Sequence, residues 1–217
     1  MLKYYDTNYN REMKVYKADE LFSVRVKKET SIKNENRELS FPFNLSFEIM
    51  KERTDDFSGP GIYAITYKDE VIYIGSYSSP NAKIINERWE KHIQTLTNRG
   101  YRIGFNSKSK HADIPFVFRE NFTSESYRFC DTGTVTSIER LNFAAKFVNE
   151  FNSDDNFIIK DFCFHYQQLN KNENAKSIES KLLKEFKTMC NRKSKNTKVM
   201  TELKIENVIE LLKRIIK

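Results

Sequence analysis

Two short β-rich runs constrain this chain more than any other feature. Gly61-Ile-Tyr-Ala-Ile-Thr-Tyr67 and Val71-Ile-Tyr-Ile-Gly75 are separated only by Lys68-Asp69-Glu70. Aromatic and β-branched residues at that density, broken by so short a polar turn, predict an antiparallel hairpin. Neither run alternates cleanly between apolar and polar residues, so both faces of the hairpin are expected to be covered. The following segment, 81–98, supplies one cover. Ile85, Trp89, Ile93 and Leu96 recur at the spacing of a buried helical stripe, and Asn81, after Pro80, is a candidate cap.

The remaining segments read less sharply. Residues 1–57 read as an extension, with a helix over Met13–Phe22, a strand from Phe22, and an extended piece running into a helix over Leu39–Met50. After the first helix comes a basic loop over 99–113, then a strand over Ile114–Arg119 beginning beside Pro115. Helical periodicity returns over Val135–Phe151, an aromatic strand is expected within Asn156–Gln168, and amphipathic helices over Lys176–Cys190 and Glu202–Ile216. The expected fold class is therefore α+β, a small mixed or antiparallel sheet flanked by helices.

Composition excludes several alternatives. Low hydropathy with 31% charged residues would suit a disordered chain, but 17 Phe and 11 Tyr supply a core. No apolar run reaches the roughly 18 residues of a membrane span. The N-terminal stretch lacks an apolar signal core, so a cytoplasmic location is expected. Cys130, Cys163 and Cys190 form no CxxC or Cys/His cluster of the zinc-binding kind. Absence of a phosphate-binding glycine loop, a GxGxxG motif and a nucleophile elbow counts against the ATPase, dinucleotide-enzyme and triad-hydrolase classes.

The net charge of +7 is unevenly distributed. Residues 91–110 contain no acid but carry Lys91, Arg99, Arg102, Lys108 and Lys110. A second acid-free stretch, 187–198, carries Lys187, Arg192, Lys193, Lys195 and Lys198. Two such stretches suit two contacts with a phosphate backbone. Arg102 and Asn106 are in addition residue types that read base edges, and Asn191 borders the second stretch.

Arg88 and His92 lie one helical turn apart, so both are expected to flank the buried stripe and face a groove. A guanidinium there can grip a phosphate, and a histidine beside it can relay a proton. Gly61-Ile62-Tyr63 together with Tyr73-Ile74-Gly75, followed by a helix carrying Arg88, resembles the signature of the GIY-YIG nuclease family. The likeness covers residues 59–98 and, more loosely, 157–191.

The resemblance implies a GIY-YIG fold for residues 58–217, with an insertion at about 120–155 and an added C-terminal helix at 202–216. It implies hydrolysis of phosphodiester bonds, with Tyr63 and Tyr73 lining the active centre and Arg88 contacting the scissile phosphate. His92 matches the position used by the small type II restriction endonucleases. Glu179, in Ile178-Glu179-Ser-Lys-Leu182-Leu183, matches the metal-binding glutamate, with Asn191 after it; Glu139 in the insertion competes for that role. The implied cofactor is Mg2+ or Mn2+. The implied partners are double-stranded DNA, a second copy of the chain in a homodimer built through the 1–57 extension or the 202–216 helix, and a cognate DNA methyltransferase acting on the same site, in a bacterial or phage-encoded system. Homing-type or less specific nucleases, and a non-catalytic nucleic-acid-binding protein of this fold, are the alternatives.

Overall fold

The computed structural model describes residues 12–26, 45–49, 59–79, 83–97, 103–105, 111–121, 134–151, 159–170, 172–191 and 202–216. The chain opens with β1 (Lys14–Lys17), a single turn α1 (Ala18–Leu21), β2 (Phe22–Val26) and β3 (Leu45–Ile49). The hairpin follows as β4 (Gly61–Tyr67) and β5 (Glu70–Tyr77). A π-helical turn, Ile85–Trp89, leads directly into α2 (Glu90–Leu96). Then come β6 (Ile103–Phe105), β7 (Thr134–Thr136), α3 (Ile138–Lys146), α4 (Val148–Phe151), β8 (Phe162–Gln168), α5 (Ala175–Glu185) and α6 (Ile205–Ile215). The architecture is α+β, an antiparallel four-stranded sheet in the order β1-β8-β4-β5 with helices on both faces. Among the described residues, no helix is long and apolar enough to cross a membrane.

Every residue of β4 is buried, as the unbroken apolar run requires. Tyr63, Ile65, Trp89, Ile93, Leu96, Phe143 and Phe164 build the core on one face. Ile62, Ala64, Val71 and Ile74 meet Ile178, Leu182, Val208 and Leu212 on the other. The turn of the hairpin is shorter than expected. Lys68 and Asp69 both have positive φ, 49° and 64°, so two residues reverse the chain and Glu70 already pairs within β5. That left-handed pair matches the twist of the flanking strands.

Several expectations need correction. Residues 14–17 are an edge strand rather than helix, because the antiparallel pairing of β1 with β8 outweighs a weak helical pattern. Part of the segment read as an extension is therefore built into the sheet. Leu45–Ile49 is a strand, not the start of a helix, and pairs along its length with β2. The stretch beside Pro115 forms a 3-10 turn at Phe116–Asn121, with the Phe118 amide donating to the Pro115 carbonyl at 2.9 Å. The helix expected from Val135 starts later, where the Ser137 hydroxyl accepts from the Arg140 amide, and breaks between Lys146 and Val148. The helix expected to Cys190 ends at Glu185. The C-terminal helix, expected to serve either assembly or the monomer's own core, buries Val208 and Leu212 against the sheet, and the Val71 amide donates to the Leu203 carbonyl just before it.

His165, on β8, is buried, and its Nε2 lies 3.0 Å from the Thr66 hydroxyl. Burial lowers its pKa from 6.5 to about 4. The folded state thus binds fewer protons than the unfolded chain between those values, so stability is lost as pH falls through that window. The contribution of this group is expected to be about 2 kcal/mol smaller at pH 5 than at pH 7. Urea denaturation of the wild type and of His165→Gln at both pH values checks this. A stability gap between the two proteins that stays constant with pH would refute it.

Candidate active site

The tyrosines of the hairpin converge through two backbone devices. Tyr63 pairs across the ladder with Gly75, and Tyr73 pairs with Ile65. The Tyr63 ring lies over Gly75 so closely that a Cβ there would sit 2.5 Å from its Cζ and 2.6 Å from its hydroxyl oxygen. Gly61 bears the same relation to Tyr166, whose ring would stand 2.4 Å from an added Cβ. The two glycines of the motif are thus each the floor beneath a tyrosine. The second device is a β-bulge. Pairing passes from Ile65↔Tyr73 to Thr66↔Val71, leaving Ile72 as the extra residue. Ile72 and Tyr73 therefore both face the core that holds Tyr63, and the bulge aims Tyr73 at it.

Tyr63 and Tyr73 stack at a ring separation of 5.9 Å and an interplanar angle of 28°. His92 closes the group, 4.4 Å from the Tyr73 ring, with its Nε2 at 2.8 Å from the Tyr63 hydroxyl. The sequence reading placed His92 beside Arg88 at the edge of a groove. His92 is instead buried, 5% exposed, while Arg88 is exposed. His92 falls within the buried stripe of Trp89, Ile93 and Leu96, whereas Arg88, on the π-helical turn Ile85–Trp89, lies at its outer side. Arg88 still acts on the group through its charge, which lowers the pKa values of Tyr63, Tyr73, Tyr77 and His92.

Glu179 approaches from the opposite layer. It lies on α5, which packs against the other face of the sheet, and its Oε2 accepts from the Ser76 hydroxyl at 2.5 Å. Its charge raises the pKa of both Tyr63 and Tyr73. β5 is the edge strand, so elements from both faces meet around it. Glu139 lies on α3, where its charge bears on Cys190.

Asn191 is tied to the edge strand by its side chain. Its amide nitrogen donates to the Ile74 carbonyl and its oxygen accepts from the Ile74 amide, both at 2.8 Å. Thr188 donates to the same oxygen, and the Cys190 amide donates to the Ile72 carbonyl at 2.9 Å. This segment takes the place of a further strand along β5, with the part-buried Asn191 amide pairing with its backbone. Lys91 is exposed on α2. Arg99, Arg102, Asn106, Lys108, Lys110, Arg192, Lys193 and Lys195, as well as the Asn81 cap, lie outside the described residues.

Three residues at this place escaped the sequence reading. Ser76 binds Glu179, and the only sequence signal for it is its position beside Gly75. Glu87 accepts from the Tyr77 hydroxyl at 2.9 Å. Arg140 reaches from α3 to His92 and Thr95, both at 3.3 Å. No local pattern marks Arg140, because the contact spans two helices far apart in sequence.

The electrostatics exclude some roles. Burial, the Tyr73 phenol and the charge of Glu179 hold Tyr63 well above the usual phenol value, with Arg88 opposing them. Burial likewise raises Tyr73. Both phenols are therefore protonated hydrogen-bonding groups near neutrality. Burial and the nearby Arg140 and Arg88 charges push His92 well below the usual imidazole value, so the ring is neutral.

Among the described residues, no three His, Cys, Asp or Glu side chains gather into a metal-binding cluster. The oxygen donors present are the Glu179 carboxylate and the Ser76 hydroxyl bound to it. That set fits a hard divalent ion such as Mg2+, which takes one or two carboxylates and fills its shell with water and phosphate oxygens. It does not fit a soft or zinc-type ion. Comparison with family models, curated proteins and solved structures finds no match to this chain.

Proposed function

We propose that this chain is a metal-dependent endonuclease of the GIY-YIG type that hydrolyses double-stranded DNA at a specific sequence, as type II restriction enzymes do. The observation that carries this reading is the meeting, around the edge strand β5, of Tyr63, Tyr73, His92, Arg88 and Glu179. The first three are in direct contact, and the last two act on both phenols through their charges. These residues come from β4, β5, the π-α2 helix and α5, and they are the five that match the motif.

Each residue has a role suited to its surroundings. Arg88, exposed beside the buried group, binds the scissile phosphate and stabilises the charge that grows on its oxygens. Tyr63 and Tyr73, held protonated, orient the attacking water by hydrogen bonding. Glu179 holds Mg2+ or Mn2+, which when bound supplies water activation and charge relief at the leaving oxygen. Ser76 fixes the carboxylate that does the holding. Cutting both strands at a two-fold symmetric site is most simply done by two such centres related by that symmetry, so the working form in this reading is a homodimer, with sequential nicking by one chain as the alternative.

The test is incubation of supercoiled plasmid with the protein, with Mg2+ or with excess chelator. Discrete fragments in Mg2+ alone are expected. A smear would indicate a nuclease without sequence preference, and retardation without cutting would leave a binding protein of the same fold.

A further inference from the structure

We propose that Arg140 is a positioning residue that fixes His92 in the tautomer protonated at Nε2, so that His92 donates its hydrogen bond to the hydroxyl oxygen of Tyr63. The Arg140 Nη1 lies 3.3 Å from the His92 Nδ1. A guanidinium only donates, so Nδ1 must present its lone pair. Burial and the nearby Arg140 and Arg88 charges favour the neutral ring, and with Nδ1 facing Arg140 its single proton resides on Nε2. Nε2 is 2.8 Å from the Tyr63 oxygen, and the N–H donates to it.

The direction of that bond decides what Tyr63 can do. With the opposite tautomer, Tyr63 would donate to Nε2 and its proton would be held inside the helix packing. With the tautomer set by Arg140, the Tyr63 oxygen accepts, and its own proton is directed away from His92. The arrangement is held from behind by Thr95. Its hydroxyl accepts from Arg140 at 3.3 Å and is within 2.9 Å of the Lys91 carbonyl and 3.1 Å of the His92 carbonyl, to which it donates. A relay Thr95–Arg140–His92–Tyr63 thus runs from α2 through α3 and back to the sheet. It joins α3, in the segment read as an insertion, to the tyrosine of the motif.

The consequence for cutting rests on the nuclease reading, whereas the tautomer itself does not. The experiment is a long-range proton–nitrogen correlation spectrum of the full chain labelled at histidine nitrogen, at neutral pH, with His92 assigned by its loss in His92→Gln. The wild type is expected to show neutral His92 protonated at Nε2. Arg140→Gln, whose amide can accept or donate, and Arg140→Met, which can do neither, are expected to populate the Nδ1-protonated form. Arg140→Lys, which only donates, is expected to restore the Nε2 form. If cutting is present, Arg140→Gln should slow turnover about tenfold or more with DNA affinity unchanged, and Arg140→Lys should recover most of it. A cationic or Nδ1-protonated His92 in the wild type overturns the proposal, as does an unchanged tautomer in a folded Arg140→Gln or Arg140→Met. Cutting without the Nε2 form refutes this inference alone; the Nε2 form without cutting refutes the nuclease reading alone.

Discussion

Replacing Trp89 with alanine is expected to lower unfolding stability by about 3–5 kcal/mol, the range for truncating a large, fully buried aromatic side chain. Trp89 has no exposed surface, stacks on Phe164 at 4.8 Å and 27°, and meets Tyr16, Tyr63 and Tyr166 at 6.1–6.5 Å. It joins the helix to three strands of the sheet, so no neighbour can collapse into the void without moving the others. Urea denaturation measures the loss. A value below about 1 kcal/mol would mean that the helix does not rest on the sheet through this side chain.

Glu179→Ala is expected to reduce strand cleavage by about a thousandfold while leaving DNA affinity within a few-fold, and Arg88→Ala to do nearly the same. Both interactions grow with the charge of the transition state, so the loss belongs in turnover rather than in binding. Glu139→Ala is the matched control, since Glu139 lies on α3 whereas Glu179 lies on α5 and binds Ser76 of β5. Single-turnover rates alongside gel retardation separate the two effects. Normal cutting by Glu179→Ala with loss in Glu139→Ala would transfer the metal-holding role to the α3 carboxylate.

A common thread links these residues. The site is built at an edge strand whose hydrogen-bonding groups are covered by Cys190 and Asn191 rather than by another strand. An irregular cover of this kind satisfies the backbone and allows side chains from both layers to approach the edge. The π-turn at Arg88 and the bulge at Ile72 each insert one residue's worth of irregularity where a regular element would aim the side chains elsewhere.

Local pattern alone determined much of this protein. The hairpin was legible because apolar β-formers flank a polar turn, and the helix over 85–96 because its stripe repeats every three or four residues. The helices α5 and α6 were legible for the same reason. Which ring covers each motif glycine was not local: Gly75 lies under Tyr63 across the β4–β5 ladder, and Gly61 under Tyr166 of β8, more than a hundred residues away. What only tertiary structure decided is everything set by partners distant in the chain. Lys14–Lys17 became a strand because β8 offered it an edge, and Ile114–Arg119 turned because Pro115 removed a donor while Phe118 was drawn to Leu141 and Ala144. His92 went inward because it shares the buried face of Trp89, Ile93 and Leu96 and the paired tyrosines pack against it. Asn191 turned to the backbone of Ile74 because an edge strand leaves its hydrogen-bonding groups open, and Arg140 found His92 because α3 packs beside α2. Periodicity reports which face of an element is buried, but a hydrogen bond between side chains 48 positions apart depends on coordinates that no local pattern encodes.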